Sequence, residues 1–222
     1  MHLNIIRTKA VNELLKDLGQ DFVFVGGAVV SLYASQSTAE SQTRATDDVD
    51  IIVELATYGG YSKLDARLRE IGFSNDMFSG VICRYAIGFS NKWYQEGFRT
   101  AIDHRIDRDT VVKIFTLPYF VASKLEAFKS RGENDFIAST DFQDLVYILE
   151  HTDNFEEKMR LAPDHLKSYL KDEFSRMLES EDIGEGISAH MADGYHAPVS
   201  DGIIHMLRET FDIDPPYLGY SR

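Results

Sequence analysis

The sequence predicts an α+β fold with strands confined to the first half of the chain and helices filling the rest. Three observations carry this reading. A short apolar run, Phe22-Val23-Phe24-Val25, ends in Gly26-Gly27 and passes into apolar residues at helical spacing, Ala28, Val29, Leu32 and Tyr33. Downstream, Asp48 and Asp50 alternate with Val49, Ile51 and Val53, the period of a strand with one face in a core. From Pro118 onward only helical periodicities recur, so the boundary is placed near 116, giving a core over 1–116 and a helical domain over 117–222.

In chain order, Ile5, Ile6, Val11, Leu14, Leu15 and Leu18 predict an amphipathic helix over about 5–18, with Gly19 as its stop. The strand through Val25 follows, then a helix from Ala28. Ser35 to Thr46 is polar and aperiodic and reads as a loop over a site. The strand Val49 to Leu55 leads to a helix over about Gly60 to Ile71, with Leu64, Leu68 and Ile71 inward and Lys63, Arg67 and Arg69 outward. Val81 to Ile87 reads as a β segment. Trp93, Tyr94, Phe98, Ala101 and Ile102 then predict a helix capped by Ser90 or Asn91, with Asp103 and His104 inside it or at its end. Val111 to Phe115 is a short strand.

The helix Pro118 to Ser130 turns Val121, Leu125 and Phe128 inward and sets Lys124 on one face with Arg131, where they can reach an anion. Thr140 and Gln143 form a capping-box pattern for a helix burying Phe142, Leu145, Val146 and Leu149, flanked by Asp141 and Asp144 near its positive start. Two more amphipathic helices are predicted, over Pro163 to Leu178 and Ser200 to Phe211, joined by a loop containing His190, Asp193 and His196. Those three have no tight metal-ligand spacing. The end of the chain, DIDPPYLGYSR, reads as a surface-packed tail.

Composition bounds the function classes. The 222 residues are 44% hydrophobic and 27% charged, an ordinary globular balance with room for a real core. No apolar run reaches membrane-spanning length, and no signal-peptide pattern opens the chain, so a cytoplasmic protein without a membrane partner is expected. Cys83 is the sole cysteine, which excludes an internal disulfide and a cysteine zinc cage, and its apolar neighbours Val81 and Ile82 make it a buried small residue. A net charge of -13 argues against general nucleic-acid coating but leaves room for a local basic groove near Lys124, Lys129 and Arg131.

The chemistry converges on Gly26 to Val53. Gly26 and Gly27 lack a Cβ, so their backbone can take unusual dihedrals and let a phosphate approach the amides beyond them. Carboxylates at i and i+2 of a strand lie about 7 Å apart, close enough to share one or two divalent ions bridged by phosphate oxygens. A nucleoside triphosphate with magnesium or manganese suits both halves. Arg44 and Thr46 close the loop beside the acids. Arg44 is either a phosphate partner or a charge partner for Asp47 or Asp48.

The order VGGAVVSLY, RATDDVDIIV, ICRY, IGFSNKWY, PYFVASKLEAFKSRGENDF and STDFQDLVYILE resembles bacterial proteins of the nucleotidyltransferase superfamily with the DNA polymerase beta-like fold, grouped with the AbiEii/AbiGii toxin-type nucleotidyltransferases. The resemblance spans about residues 20–180. It implies a small mixed β-sheet core flanked by helices and followed by a helical C-terminal domain. It further implies that Gly26 and Gly27 hold triphosphate, that Asp48 and Asp50 bind Mg2+ or Mn2+, and that Lys124 contacts nucleotide phosphate with Arg131 beside it. Asp144 or Asp141 matches the family's late acidic residue. The implied reaction moves a nucleoside monophosphate from an NTP to an acceptor hydroxyl on transfer RNA, a protein or a small molecule. A toxin role with a cognate antitoxin, or a role in phage defence, is implied likewise.

Two departures stand out. The interval between Gly27 and Asp48 is longer than in many members of the superfamily. The strand that usually supplies a third carboxylate between the counterparts of ICRY and IGFSNKWY is missing, because Tyr85, Ala86 and Ile87 run straight together. Asp103 is the nearest downstream candidate, within predicted helical surroundings. A nucleotide-binding or partner-binding protein that keeps the fold without efficient transfer is therefore the alternative reading, and a structural interaction module a third.

Overall fold

The computed structural model describes residues 1–18, 21–35, 43–53, 58–71, 91–191 and 197–215. The fold is α+β, with one small mixed sheet and helices around and after it. The chain divides into two compact units, Met1–Ser123 and Lys124–Arg222, and the division falls inside a helix, downstream of the sequence-based boundary at 116.

In the first unit α1 (Leu3–Leu15) buries Asn4, Ile5, Thr8, Val11 and Leu15 and ends in a 3₁₀ turn, Lys16–Leu18. Strand β1 (Phe22–Val25) is buried at every residue. Strand β2 (Asp50–Val53) begins one residue after the predicted Val49, and the predicted end at Leu55 lies outside the described residues. Helix α2 (Tyr58–Glu70) buries Leu64 and Leu68 as expected. Then come α3 (Tyr94–Arg99), β3 (Ile102–Arg105), β4 (Val111–Ile114) and α4 (Leu117–Ser130), which crosses from the first unit into the second. Among the described residues the sheet order is β2-β1-β4-β3. Strand β1 pairs antiparallel with β2 and parallel with β4, and β3 pairs antiparallel with β4. Val23, Phe24, Val25, Ile114 and Phe115 form the middle of this core. Tyr33 seals one side, its buried hydroxyl donating to the Phe115 carbonyl at 2.9 Å.

Two readings of this half are corrected. The segment after the glycines is a 3₁₀ helix, Gly27–Tyr33, rather than an α-helix. Ala28, Val29 and Val30 are all fully buried there, so the piece is enclosed on more than the one face that an amphipathic α-helix presents. The second correction concerns residues 91–105. The helix is only six residues long, and Asp103 and His104 lie on strand β3, paired with Lys113 and Val112. Two contacts decide this. Gly97 lies so close to Phe115 that a Cβ would meet the ring at 2.8 Å, and the pairing with β4 draws Ile102 and its neighbours into the sheet. Tertiary pairing overrides the local period. The predicted β segment Val81 to Ile87, with Cys83 and Tyr85 to Ile87, lies outside the described residues, as does most of the Ser35 to Thr46 loop.

In the second unit α5 (Thr140–His151), α6 (Phe155–Arg160), α7 (Asp164–Leu178), α8 (Ile183–Ala189) and α9 (Ala197–Phe211) follow the last turns of α4, with α9 packed against α6, α7 and α8. Phe128, Phe136 and Phe142 form one aromatic cluster, and Phe174 stacks on Phe211 at 5.0 Å. The N-cap of α5 is Ser139, whose hydroxyl accepts the Phe142 N–H at 3.3 Å, one residue before the predicted Thr140. The short helices α6 and α8 replace stretches read as connections. Six or seven residues are too few to register a 3.6-residue period against their surroundings. Among the described residues no helix is long and apolar enough to cross a membrane.

Candidate functional site

The antiparallel register of β1 and β2 sets Val25 opposite Asp50, so the carboxylate that opens β2 lies beside the turn that closes β1. That turn is Gly26, with φ +72° and ψ -164°, a conformation reserved in practice for glycine. A Cβ built on Gly26 would fall 2.0 Å from the Asp50 Oδ2. The glycine therefore serves both to make the turn and to leave space for the acid. Asp48 and Asp50 are both exposed with buried Val49 between them, but the alternation read from the sequence stops there: Ile52, on the face of the acids, is buried, while Ile51 and Val53 are only half-buried. The Asp48 N–H donates to the Thr46 hydroxyl at 3.4 Å.

This pair is an all-oxygen donor set suited to a hard cation. Magnesium keeps several of its waters and takes one or two carboxylates together with substrate phosphates, rather than a closed protein cage. Among the described residues no group of three or more His, Cys, Asp or Glu could hold a metal ion by itself. Asp48 and Asp50 would hold Mg2+ or Mn2+ in company with phosphate oxygens.

Asp103 does not extend this pair. The register runs Ile52, Val23, Lys113, Asp103 across the sheet, so Asp103 shares a face with Asp50 but lies three inter-strand spacings across and two residues along the strand from it, about 16 Å. Its carboxylate pairs with Lys113 at 3.2 Å. His104 beside it is half-buried, and burial lowers its pKa.

The second unit carries a buried charge cluster of its own. Lys124 is 3% exposed, and its Nζ donates to Asp141 Oδ1 at 3.0 Å and to Asp144 Oδ2 at 2.6 Å. Arg131 grips Asp141 with two bonds, Nε to Oδ2 at 2.7 Å and Nη2 to Oδ1 at 2.8 Å, while its own side chain stays 70% exposed. Asp141 and Asp144, read as flanking the helix stripe, are instead buried within it. Burial acts to lower the Lys124 pKa, but the charges of Asp144 and Asp141 outweigh it and raise the value. Burial likewise acts to raise Asp141, yet the Arg131 hydrogen bonds and the Lys124 charge hold it below the ordinary carboxylate range.

Of the remaining candidates, His190 ends α8, and its Nε2 lies 2.9 Å from the Phe136 carbonyl oxygen. Asp193 and His196 lie outside the described residues. Arg44 and Thr46 are half-buried, and their backbones are held by α1: the Arg44 carbonyl accepts from Asn4 Nδ2, and the Thr46 N–H donates to Asn4 Oδ1, both at 3.0 Å. Sequence reasoning singled out neither Asn4 nor Arg7. The available signal was a polar residue, Asn4, at the head of the helix face that continues through Thr8, Val11 and Leu15.

No protein-family model and no curated protein matches this chain.

Proposed function

We propose that this protein is a metal-dependent nucleotidyltransferase that moves a nucleoside monophosphate from an NTP to an acceptor hydroxyl. The observation that carries the reading is the contact between Gly26 and Asp50, which sets a positive-φ glycine turn against an exposed pair of carboxylates. In this reading the amides of the Gly26-Gly27 turn receive triphosphate oxygens, and Arg44 and Thr46 flank them. Asp48 and Asp50 hold Mg2+ or Mn2+, which when bound offsets charge on the attacking and leaving oxygens. The acceptor oxygen bonds to the α-phosphorus as the bond to pyrophosphate breaks, and the hydroxyl proton passes to water. The resemblance adds Lys124 as a contact to nucleotide phosphate, with Arg131 beside it, and Asp144 or Asp141 as the late acidic residue. The resemblance named above supports the same reading, including a cytoplasmic location and a toxin role beside a cognate antitoxin. Transfer RNA, a protein side chain and a small molecule remain the acceptor classes to test.

A specific observation favours the second reading, a nucleotide-binding or partner-binding protein with weak or no transfer. Lys124 is buried and satisfied by two carboxylates of its own unit, an arrangement that serves stability without any phosphate.

Thermal unfolding with each of the four nucleoside triphosphates, with and without Mg2+ or Mn2+, tests both. Ligand at a hundred times its dissociation constant adds about 2.7 kcal/mol, a shift on the order of 5–10 °C for a chain of this size. A metal-dependent shift absent from Asp48→Asn/Asp50→Asn supports nucleotide binding at this pair, and turnover with an acceptor then separates enzyme from binder. No shift with any nucleotide sinks the enzyme and the nucleotide-binding readings and leaves a fold that has lost its ligand.

A further inference from the structure

Asn4 is 0% exposed, and its amide is used at both ends. Nδ2 donates to the Arg44 carbonyl and Oδ1 accepts from the Thr46 N–H, each at 3.0 Å. One side chain thus offers residues 44–46 the acceptor and donor that a neighbouring strand would supply. Arg7, three residues along and on the same side of α1, donates through Nη1 to the Thr46 carbonyl and through Nη2 to Asp47 Oδ1 at 2.8 Å. Four hydrogen bonds therefore join one helix face to three of the four residues immediately ahead of Asp48, namely Arg44, Thr46 and Asp47.

Asp47, Asp48 and Asp50 are three carboxylates within four positions, and their surroundings differ. Arg7 takes Asp47, whose side chain is 93% exposed. Asp50 lies against the Gly26 turn. Asp48 stands between them on a backbone whose preceding residues α1 holds. The helix is itself anchored by buried Ile5, Thr8, Val11 and Leu15 and by its packing on the 3₁₀ helix.

We propose that Asn4 and Arg7 are positioning residues for the Asp48–Asp50 cation pair, so that the N-terminal helix decides which of three neighbouring carboxylates face the cation. This rests on the reading of that pair as a divalent-cation site. The bracket acts through the backbone of Arg44 to Asp47 and touches neither cation nor nucleotide.

The test uses the full chain and Mn2+ alone, followed by its paramagnetic resonance signal, with amide hydrogen exchange measured on the metal-free protein. Asn4→Ala and Arg7→Met should each weaken Mn2+ binding about tenfold or more, the usual effect of losing a partner behind a ligand. They should also speed exchange at Thr46 and Asp48 at temperatures where the protein remains folded. Arg7→Lys, which keeps a donor, should recover part of the affinity. Val11→Ala, in the same helix but away from the bracket, controls for loosened packing and should leave Mn2+ affinity unchanged. Wild-type affinity in both Asn4→Ala and Arg7→Met overturns the proposal, as does an equal loss in Val11→Ala. If wild type binds Mn2+ no better than Asp48→Asn/Asp50→Asn, the cation-site reading itself fails, and faster exchange in the Asn4 variant then records a structural brace alone.

Discussion

Gly26 and Asp50 pack so closely that position 26 has no room for a side chain: a Cβ at Gly26 would overlap the Asp50 carboxylate at 2.0 Å from Oδ2. The contact follows from register, because Val25 pairs with Asp50 and the next residue of the first strand must turn beside it. Gly26→Ala therefore meets two penalties. Its φ of +72° strains any residue with a side chain, at about 1–3 kcal/mol, and the methyl group displaces Asp50. Urea denaturation should show a loss of at least that size, and Mn2+ binding should disappear. Gly26→Ala/Asp50→Ala should recover part of the stability without the binding, because the clash is removed but the ligand is lost. Additive losses in the double variant would show that the two residues do not couple.

Lys124→Met leaves Asp141 and Asp144 buried without the cation they share. The expected loss is about 3–5 kcal/mol in chemical denaturation, the usual cost of removing one member of a buried charge cluster. Replacing Asp144 as well, in Lys124→Met/Asp144→Leu, should be less damaging than Lys124→Met alone. Acid tests the same cluster. The Asp141 pKa is depressed in the folded protein, so its contribution is present above the ordinary carboxylate range and is lost as pH falls through its folded value. Stability should therefore fall less steeply with acid in Asp141→Asn than in wild type. Equal slopes would remove Asp141 from the account.

Asp107 ties the β3–β4 turn to the N-terminal helix. It accepts from Lys9 and, through Oδ1, from the N–H groups of Asp109 at 3.0 Å and Thr110 at 2.9 Å. The Lys9 hydrogen bond, followed by that from Asp109, lowers its pKa to about 2. The depressed value means the turn is held by a carboxylate above about pH 4 and released between there and about pH 2. Exchange of the Asp109 and Thr110 amides should accelerate across that window, and Asp107→Asn should flatten the dependence. A turn whose exchange does not respond to pH in wild type would overturn the assignment.

Much of the fold was legible from local pattern. The alternation at Asp48 to Asp50, the buried strand before Gly26-Gly27 and the helices α4, α5, α7 and α9 are written in spacings of two to four residues, which a sequence displays directly, whereas beyond Asp50 the burial of Ile52 departs from the predicted period. The neighbours Gly26 and Asp50 were both singled out, but not their contact. That depends on which residue of β2 faces which residue of β1, and register is a property of the pair of strands.

What tertiary structure alone decided is where side chains reach across the chain. Asp103 sits in a strand because β4 offers it a partner, although the spacing around it is helical. Lys124 and Arg131, read as a face open to anions, bind Asp141 and Asp144 because helix packing brings those acids to them. Asn4 and Arg7 hold residues some forty positions away, an association that no local period encodes. The sequence by itself determined the long helices and the buried strand before the glycines, since their hydrogen bonds and apolar faces repeat over a few residues. The structure decided the pairings, since burial leaves a polar group stable only beside a partner that the fold, and not the neighbouring sequence, supplies.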